Sequence, residues 1–202
     1  MYHLPPSTSI SKPLYKKALF EKFTLKTAER DRFDADVSRM ALVARVSPAT
    51  VPALKIGNEV DGFYVLQVAL KRKAYDEKNI LLLHKLIPQH MVFALEYEGG
   101  TQFAIFHTRL QQSEWMPTDD ASIPLQGLTL DDVWNNIVAI IGHLDATAEQ
   151  SLEQQIVNRE QREKIAARIA LLERQCRAEK QQRRKYELHQ EIQKLKLDIK
   201  HI

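Results

Sequence analysis

The sequence predicts an α+β fold: a small mixed sheet of about four to five strands with flanking helices, then a long C-terminal coiled-coil-like helical arm. Three observations carry this expectation. Short runs rich in β-formers, from Val37 or Ser38 to Val46, Phe63 to Lys71, Met91 to Tyr97 and Thr101 to His107, lie between segments of helical spacing. Residues 147–202 contain neither Gly nor Pro and repeat apolar residues in a broken heptad pattern. A chain of 202 residues, 44% hydrophobic and 27% charged, suffices for one core-forming domain with an appendage but makes two full domains a tight fit. The expected division is a globular domain over 1–146 and an arm over 147–202.

Taken in order, Leu4-Pro5-Pro6-Ser7-Thr8 is turn-rich. Pro13 to Lys22 then sets Leu14, Ala18 and Leu19 at helical spacing with Pro at the first turn, which predicts a short helix. Thr27 is a good N-cap for a second helix over Ala28 to Phe33, whose pattern changes near Asp36. Met40, Leu42, Ala44 and Val46 alternate on one face of the first strand, which Ser47-Pro48 closes. After a loop with Pro52, Gly57 and Gly62, Phe63 to Lys71 is largely apolar on both faces, as an interior strand should be. Asp76 to Ile87 reads as a helix stopped by Pro88. Glu98-Gly99-Gly100 predicts a tight hairpin between the next two strands, the glycines supplying positive φ. One more irregular edge strand is expected within Ser113 to Pro124.

Thr129-Leu130-Asp131-Asp132 opens a helix with a capping-box-like pattern, Asp replacing the usual Glu. Val133, Trp134, Ile137, Ile140, Ile141 and Leu144 form the stripe that should cover the sheet. In the arm, Leu152, Ile156, Ile165, Ile169, Leu172 and Cys176 make one apolar stripe, and Leu188, Ile192, Leu195, Ile199 and Ile202 a second. Between them lie Arg174, Arg177, Lys180, Arg183, Arg184 and Lys185, with Glu179 the one acid. The break in register fits either a helical hairpin or one long helix whose halves contact different partners.

Charge is unevenly spread. Residues 1–146 carry 16 Lys and Arg against 17 Asp and Glu, whereas 147–202 carry 13 against 9, so the net positive charge sits in the arm. An acidic partner, protein or nucleic acid, fits that asymmetry, and so does a solvated helix face.

Several function classes find no support. No apolar run approaches the roughly 18 to 20 residues that span a bilayer, and Met1 to Pro13 lacks a basic region followed by an apolar stretch, so a cytoplasmic location is expected. The single Cys176 cannot form an internal disulfide or a cysteine zinc cluster and reads as a small apolar helix residue. The seven histidines contain no His-x-x-x-His pair, and the glycines form neither a dinucleotide fingerprint nor a phosphate loop. No metal site and no cofactor is therefore expected. Asp119-Asp120 and Asp131-Asp132 read as loop and helix-start acids, and Trp115-Met116 beside Pro117 as a loop cap on the core in preference to an exposed contact point.

Leu4-Pro5-Pro6-Ser7-Thr8 with Lys12 and Lys16, the strand Gln67-Val68-Ala69-Leu70-Lys71, and Glu179-Lys180-Gln181 followed by Arg184-Lys185-Tyr186-Glu187-Leu188, Glu191-Ile192 and Leu195-Lys196 together resemble one bacterial family, domain of unknown function 4391. The similarity covers nearly the whole chain. It implies a small protein encoded beside DNA methyltransferases and helicases of restriction-modification and antiphage loci, with no chemistry assigned to the class.

The order helix, strand, strand, helix, strand from Pro13 to Tyr97 is also similar to the core of restriction-type nucleases. Such sites hold a divalent metal on an acidic residue and a following (Asp/Glu)-x-Lys. Asp61, Gln67, Ala69 and Lys71 share strand parity, and Lys71 sits where the motif lysine would be. Ala69, two residues earlier, has no oxygen for a metal, and Gln67 is a weaker neutral donor. Asp61, Gln67 and Lys71 thus stand as vestigial candidates, with a degenerate nuclease-like core, or an unrelated α+β layer, the readings that remain beside an active nuclease.

Two function classes compete. In the first, the chain is a non-catalytic accessory subunit of a defence complex, docking on a helicase or methyltransferase, or on a second copy, through Leu188, Ile192, Leu195 and Ile199, because a lone helix would leave that stripe wet. In the second, it is a DNA-acting module whose arm tracks phosphates with Arg174, Arg177, Lys180, Arg183, Arg184 and Lys185. Only Tyr186 interleaves with these cations, so base stacking by the arm is poorly supported.

Overall fold

The computed structural model describes residues 1–199, and the chain forms two compact units, Met1–Thr147 and a second beginning at Ala148. His201 and Ile202 lie outside the described residues. In the first unit, β1 (Ser9–Leu14), β2 (Val37–Val46), β3 (Phe63–Leu70), β4 (Met91–Tyr97), β5 (Gly100–His107) and β6 (Arg109–Gln112) lie side by side in chain order, and β7 (Met116–Pro117) adds to β5. Every pairing is antiparallel except β3 with β4. A parallel pair needs a crossover, and α3 (Lys78–Leu86) supplies it.

β3 and β4 are buried on both faces, which is why their sequences are apolar at consecutive positions. On one face Leu66, Val68, Leu70, Phe93 and Leu95 pack with Leu19 of α1 (Lys16–Lys22), Phe33 of α2 (Thr27–Asp36) and Ile80 and Leu83 of α3. On the other, Phe63 and Val65 are fully buried, and the Phe63 ring lies 5.7 Å from Trp134 of α4 (Leu130–Gly142). That helix opens as its sequence dictates: the Asp132 N–H donates to Thr129 Oγ1 at 3.2 Å, and the Thr129 N–H to Asp132 Oδ2 at 2.9 Å.

The structure departs from the sequence reading at four places. The helix expected from Pro13 starts at Lys16, because Ser9–Leu14 forms an edge strand on β2 with Leu14 opposite Met40. Proline is tolerated on an edge, where its missing N–H faces no neighbour. Lys26, not Thr27, caps α2, its N–H donating to Glu29 Oε2 at 2.9 Å. Glu98 (φ 44°) and Gly99 (φ 79°) are the hairpin's central residues, while Gly100 already pairs with Tyr97. The strand sought within Ser113 to Pro124 is split: β6 precedes that window and only the short β7 lies inside it, so the sheet has seven strands.

In the second unit, α5 (Leu152–Ala178) and α6 (Gln182–Asp198) pack together, which resolves the arm as a helical pair with a short break. Ile169, Leu172, Leu188 and Ile192 form the buried seam, with Ile165, Cys176, Leu195 and Ile199 against it. Arg168 to Glu191 and Lys196 to Glu173, both at 2.9 Å, tie the two helices across it. Among the described residues no helix is long and apolar enough to cross a membrane.

Candidate functional site

Asp61 and Lys71 stand at opposite ends of β3. All eight residues of the strand lie between them, about 25 Å at roughly 3.3 Å per residue. Shared parity therefore does not bring them to one site. The Lys71 ammonium donates to the backbone carbonyl of Asp34, and the Lys71 backbone N–H donates to the carbonyl of Asp36 at 2.7 Å. Gln67 is half-buried, and its amide N–H donates to Glu96 Oε2 at 2.7 Å.

The Lys71 end of β3 is built around Asp36, which sequence reading passed over as a helix end. Its side chain is fully buried. Oδ1 accepts from Arg72 Nε at 2.6 Å, while Oδ2 accepts from Asn79 Nδ2 at 2.7 Å and the Asp76 N–H at 2.8 Å. A buried charge is tolerated only when paired and hydrogen-bonded, and here the pairing pins the strand end to the start of α3.

Beside this lock lies a cleft of about 530 Å³ lined by Pro13 to Lys16, Ser38 to Ala41, Gln67 and Ala69. Strand register explains its shape. Arg39 stands opposite Ala69 on β2, Ala69 opposite Glu96 on β4, and Ala41 opposite Gln67, so these residues share one face. The small Ala41 and Ala69 leave room above the sheet. Glu96 bounds this region, its Oε1 accepting the Tyr2 O–H at 2.7 Å. Burial, and then the neighbouring Glu96 carboxylate, push the Tyr2 phenol well above its ordinary range, so it stays a neutral donor. A carboxylate does stand near Ala69, but on the adjacent strand. The one sequence signal for it was a lone acid in the apolar run Met91 to Tyr97.

At the other end of the sheet, His84 stacks on Phe106 at 4.0 Å and His90 meets the Trp134 edge at 4.8 Å. Burial lowers both imidazoles below their ordinary value, with neighbouring His90 adding to the effect on His84; on His90 the Asp61 carboxylate opposes it. They are packed rings. Among the described residues no three His, Cys, Asp or Glu side chains gather as metal ligands.

The arm assembles a different chemistry. Glu179 ends α5, and its Oε1 accepts the N–H groups of Lys180 and Gln181 at 2.8 and 2.9 Å, which shapes the break before α6. Arg174, Arg177, Lys180, Arg183, Arg184 and Lys185 flank that break and are all exposed. Each lies within about 8 Å of helix rise from it. Glu187 pairs with Arg184 at 3.0 Å and Arg183 at 3.5 Å, which leaves the cations in clear excess. Leu188 and Ile192, by contrast, are buried at 5% and 4% exposure within the chain's own seam. The apolar stripe that motivated a protein-docking arm is thus covered from within, while the basic segment faces solvent.

Comparison with curated proteins and with solved structures returns no match. The model of one family, described as "Domain of unknown function (DUF4391)", matches residues 3–199, and the chain belongs to that family.

Proposed function

We propose that this protein is a non-catalytic accessory module that engages nucleic acid through the cationic break between α5 and α6. The observation that carries the reading is the solvent exposure of six cations around one short turn, while Ile169, Leu172, Leu188 and Ile192 of the same arm close on each other. Clustered Lys and Arg neutralise backbone phosphates and release condensed counterions, without regard to base sequence. The non-catalytic part is supported by Ala69 where a nuclease needs a carboxylate, by the distance from Asp61 to Lys71, and by the engagement of Lys71 with the Asp34 carbonyl. A role within restriction-modification or antiphage defence is part of the same proposal, supported by the resemblance of the sequence to its family.

The test is fluorescence anisotropy of the full chain on random-sequence duplex DNA, with Mg²⁺ present. Arg183→Glu with Arg184→Glu should weaken binding at least tenfold and leave the DNA intact. Unchanged affinity would count against the reading, as would Mg²⁺-dependent cleavage that disappears in Lys71→Ala.

A second reading, docking on a protein such as a helicase or methyltransferase or on a second copy, is favoured by Leu171, Tyr186 and Leu197, which remain 46%, 65% and 57% exposed outside the seam. Co-purification with neighbouring gene products that is abolished by Leu171→Glu and Leu197→Glu would support it. A monomer that captures none of them would not.

A further inference from the structure

The cleft over Ala41 and Ala69 has features that the hairpin reading does not use. Its volume, about 530 Å³, lies within the range of small-ligand sites. Its floor carries two small apolar side chains, Ala41 and Ala69, set diagonally on adjacent strands with Gln67 and Arg39 as their facing partners. One polar group is fixed in it. Gln67 lines the cleft with its amide nitrogen committed to Glu96, whose second oxygen holds the buried Tyr2 hydroxyl, so what its side chain has to offer a ligand there is chiefly the carbonyl oxygen, an acceptor. An N–H donor on a ligand is what satisfies it.

Two further residues define the ligand. Tyr15 lines the cleft and is 68% exposed, offering a ring face at the rim. Arg39, the cross-strand partner of Ala69 on that same face, lines it too and is exposed, offering a planar cation suited to phosphate. The other cation there, Lys16, is committed to Asp34 at 2.6 Å and the Val37 carbonyl at 3.1 Å. Two small alanines, an aromatic rim, one acceptor and one cation fit a planar ring that bears N–H groups and carries an anionic substituent.

We propose that this cleft binds a single nucleotide: the base over Ala41 and Ala69, a ring or exocyclic N–H on the Gln67 carbonyl oxygen, and the phosphate on Arg39. The nucleotide is either free or the 5′-phosphorylated end of a strand. This site is independent of the arm, and the two are read in separate assays.

The experiment is calorimetric titration of the full chain, at a salt concentration that suppresses duplex binding, with AMP, CMP, GMP and UMP. Inorganic phosphate and short single strands with and without a 5′-phosphate complete the panel. At least one nucleoside monophosphate, or the phosphorylated strand alone, should bind, with Arg39→Ala weakening it at least tenfold and Ala69→Leu abolishing it. Arg39 is exposed, so its variant keeps the test valid if Ala69→Leu disturbs folding; an unchanged thermal midpoint in Arg39→Ala checks this. Mononucleotide binding assigns a free ligand, and binding confined to phosphorylated strands assigns a strand end. The proposal is overturned by no binding to any of these, by inorganic phosphate binding as well as the nucleotides, or by affinity indifferent to Arg39→Ala.

Discussion

Asp36→Ala removes the acceptor on which one guanidinium, one side-chain amide and one backbone N–H converge. The carboxylate is fully buried, while the Arg72 side chain keeps 58% of its exposure and can rehydrate once released. Asn79 is 1% exposed and cannot. Breaking a buried pair by deleting one member costs about 3 to 5 kcal/mol, and the freedom of Arg72 places this loss near 3. Arg72→Ala leaves the buried carboxylate with its Asn79 and Asp76 donors but without its counter-charge, so the loss should be at least as large, about 3 to 5 kcal/mol. Trp115 and Trp134 both lie in the first unit, so tryptophan fluorescence during urea unfolding follows that unit without interference from the arm. A loss below about 1 kcal/mol in Asp36→Ala would refute the claim that this carboxylate anchors the end of β3.

Other outcomes follow from the same contacts. Ile192→Asp places a charge in the seam with Ile169, Leu172 and Leu188, and circular dichroism should show the arm's helices melting, a loss of about 3 kcal/mol or more; unchanged helicity would mean that the seam does not hold them. Because burial depresses the His84 and His90 imidazoles, their contribution to stability is complete above the unfolded value of 6.5 and is lost as pH falls from there through the lowered folded values. The urea midpoint should therefore drop between about pH 7 and pH 5, and drop less in His84→Phe; an equal drop in that variant would contradict the assignment. Thr129→Ala removes the N-cap of α4 and should cost about 1 kcal/mol by urea unfolding, with no change in either binding assay.

How much of this was legible in the sequence depended on whether the deciding contact was local. The central strands, α3, α4 and the hairpin between β4 and β5 follow from runs of β-formers, a capping box and turn residues, all signals confined to a few neighbouring positions. β1 and β6 were missed because an edge strand need bury only part of one face, and its pairing depends on a partner distant in the chain. The surroundings of β3 were legible only in part for a related reason. Parity along one strand put Gln67 and Ala69 on a common face, but only register across strands could show that Arg39 and Glu96 join them, and parity took no account of the strand length that keeps Asp61 away from Lys71. Asp36 was invisible because its partners, Arg72, Asp76 and Asn79, come from the next strand end and helix. In the arm, periodicity gave both stripes and the basic interruption, but not that one stripe covers the other.

The salt dependence of duplex binding bears most directly on the role assigned to the arm. Six exposed cations around the break, two of them shared with Glu187, should make log K fall against log salt with a slope of about −4 to −5, and replacing Arg183 and Arg184 with Ala should reduce that slope by about 1. A flat dependence, or a slope unaltered by removing both arginines, would contradict phosphate engagement by this hairpin.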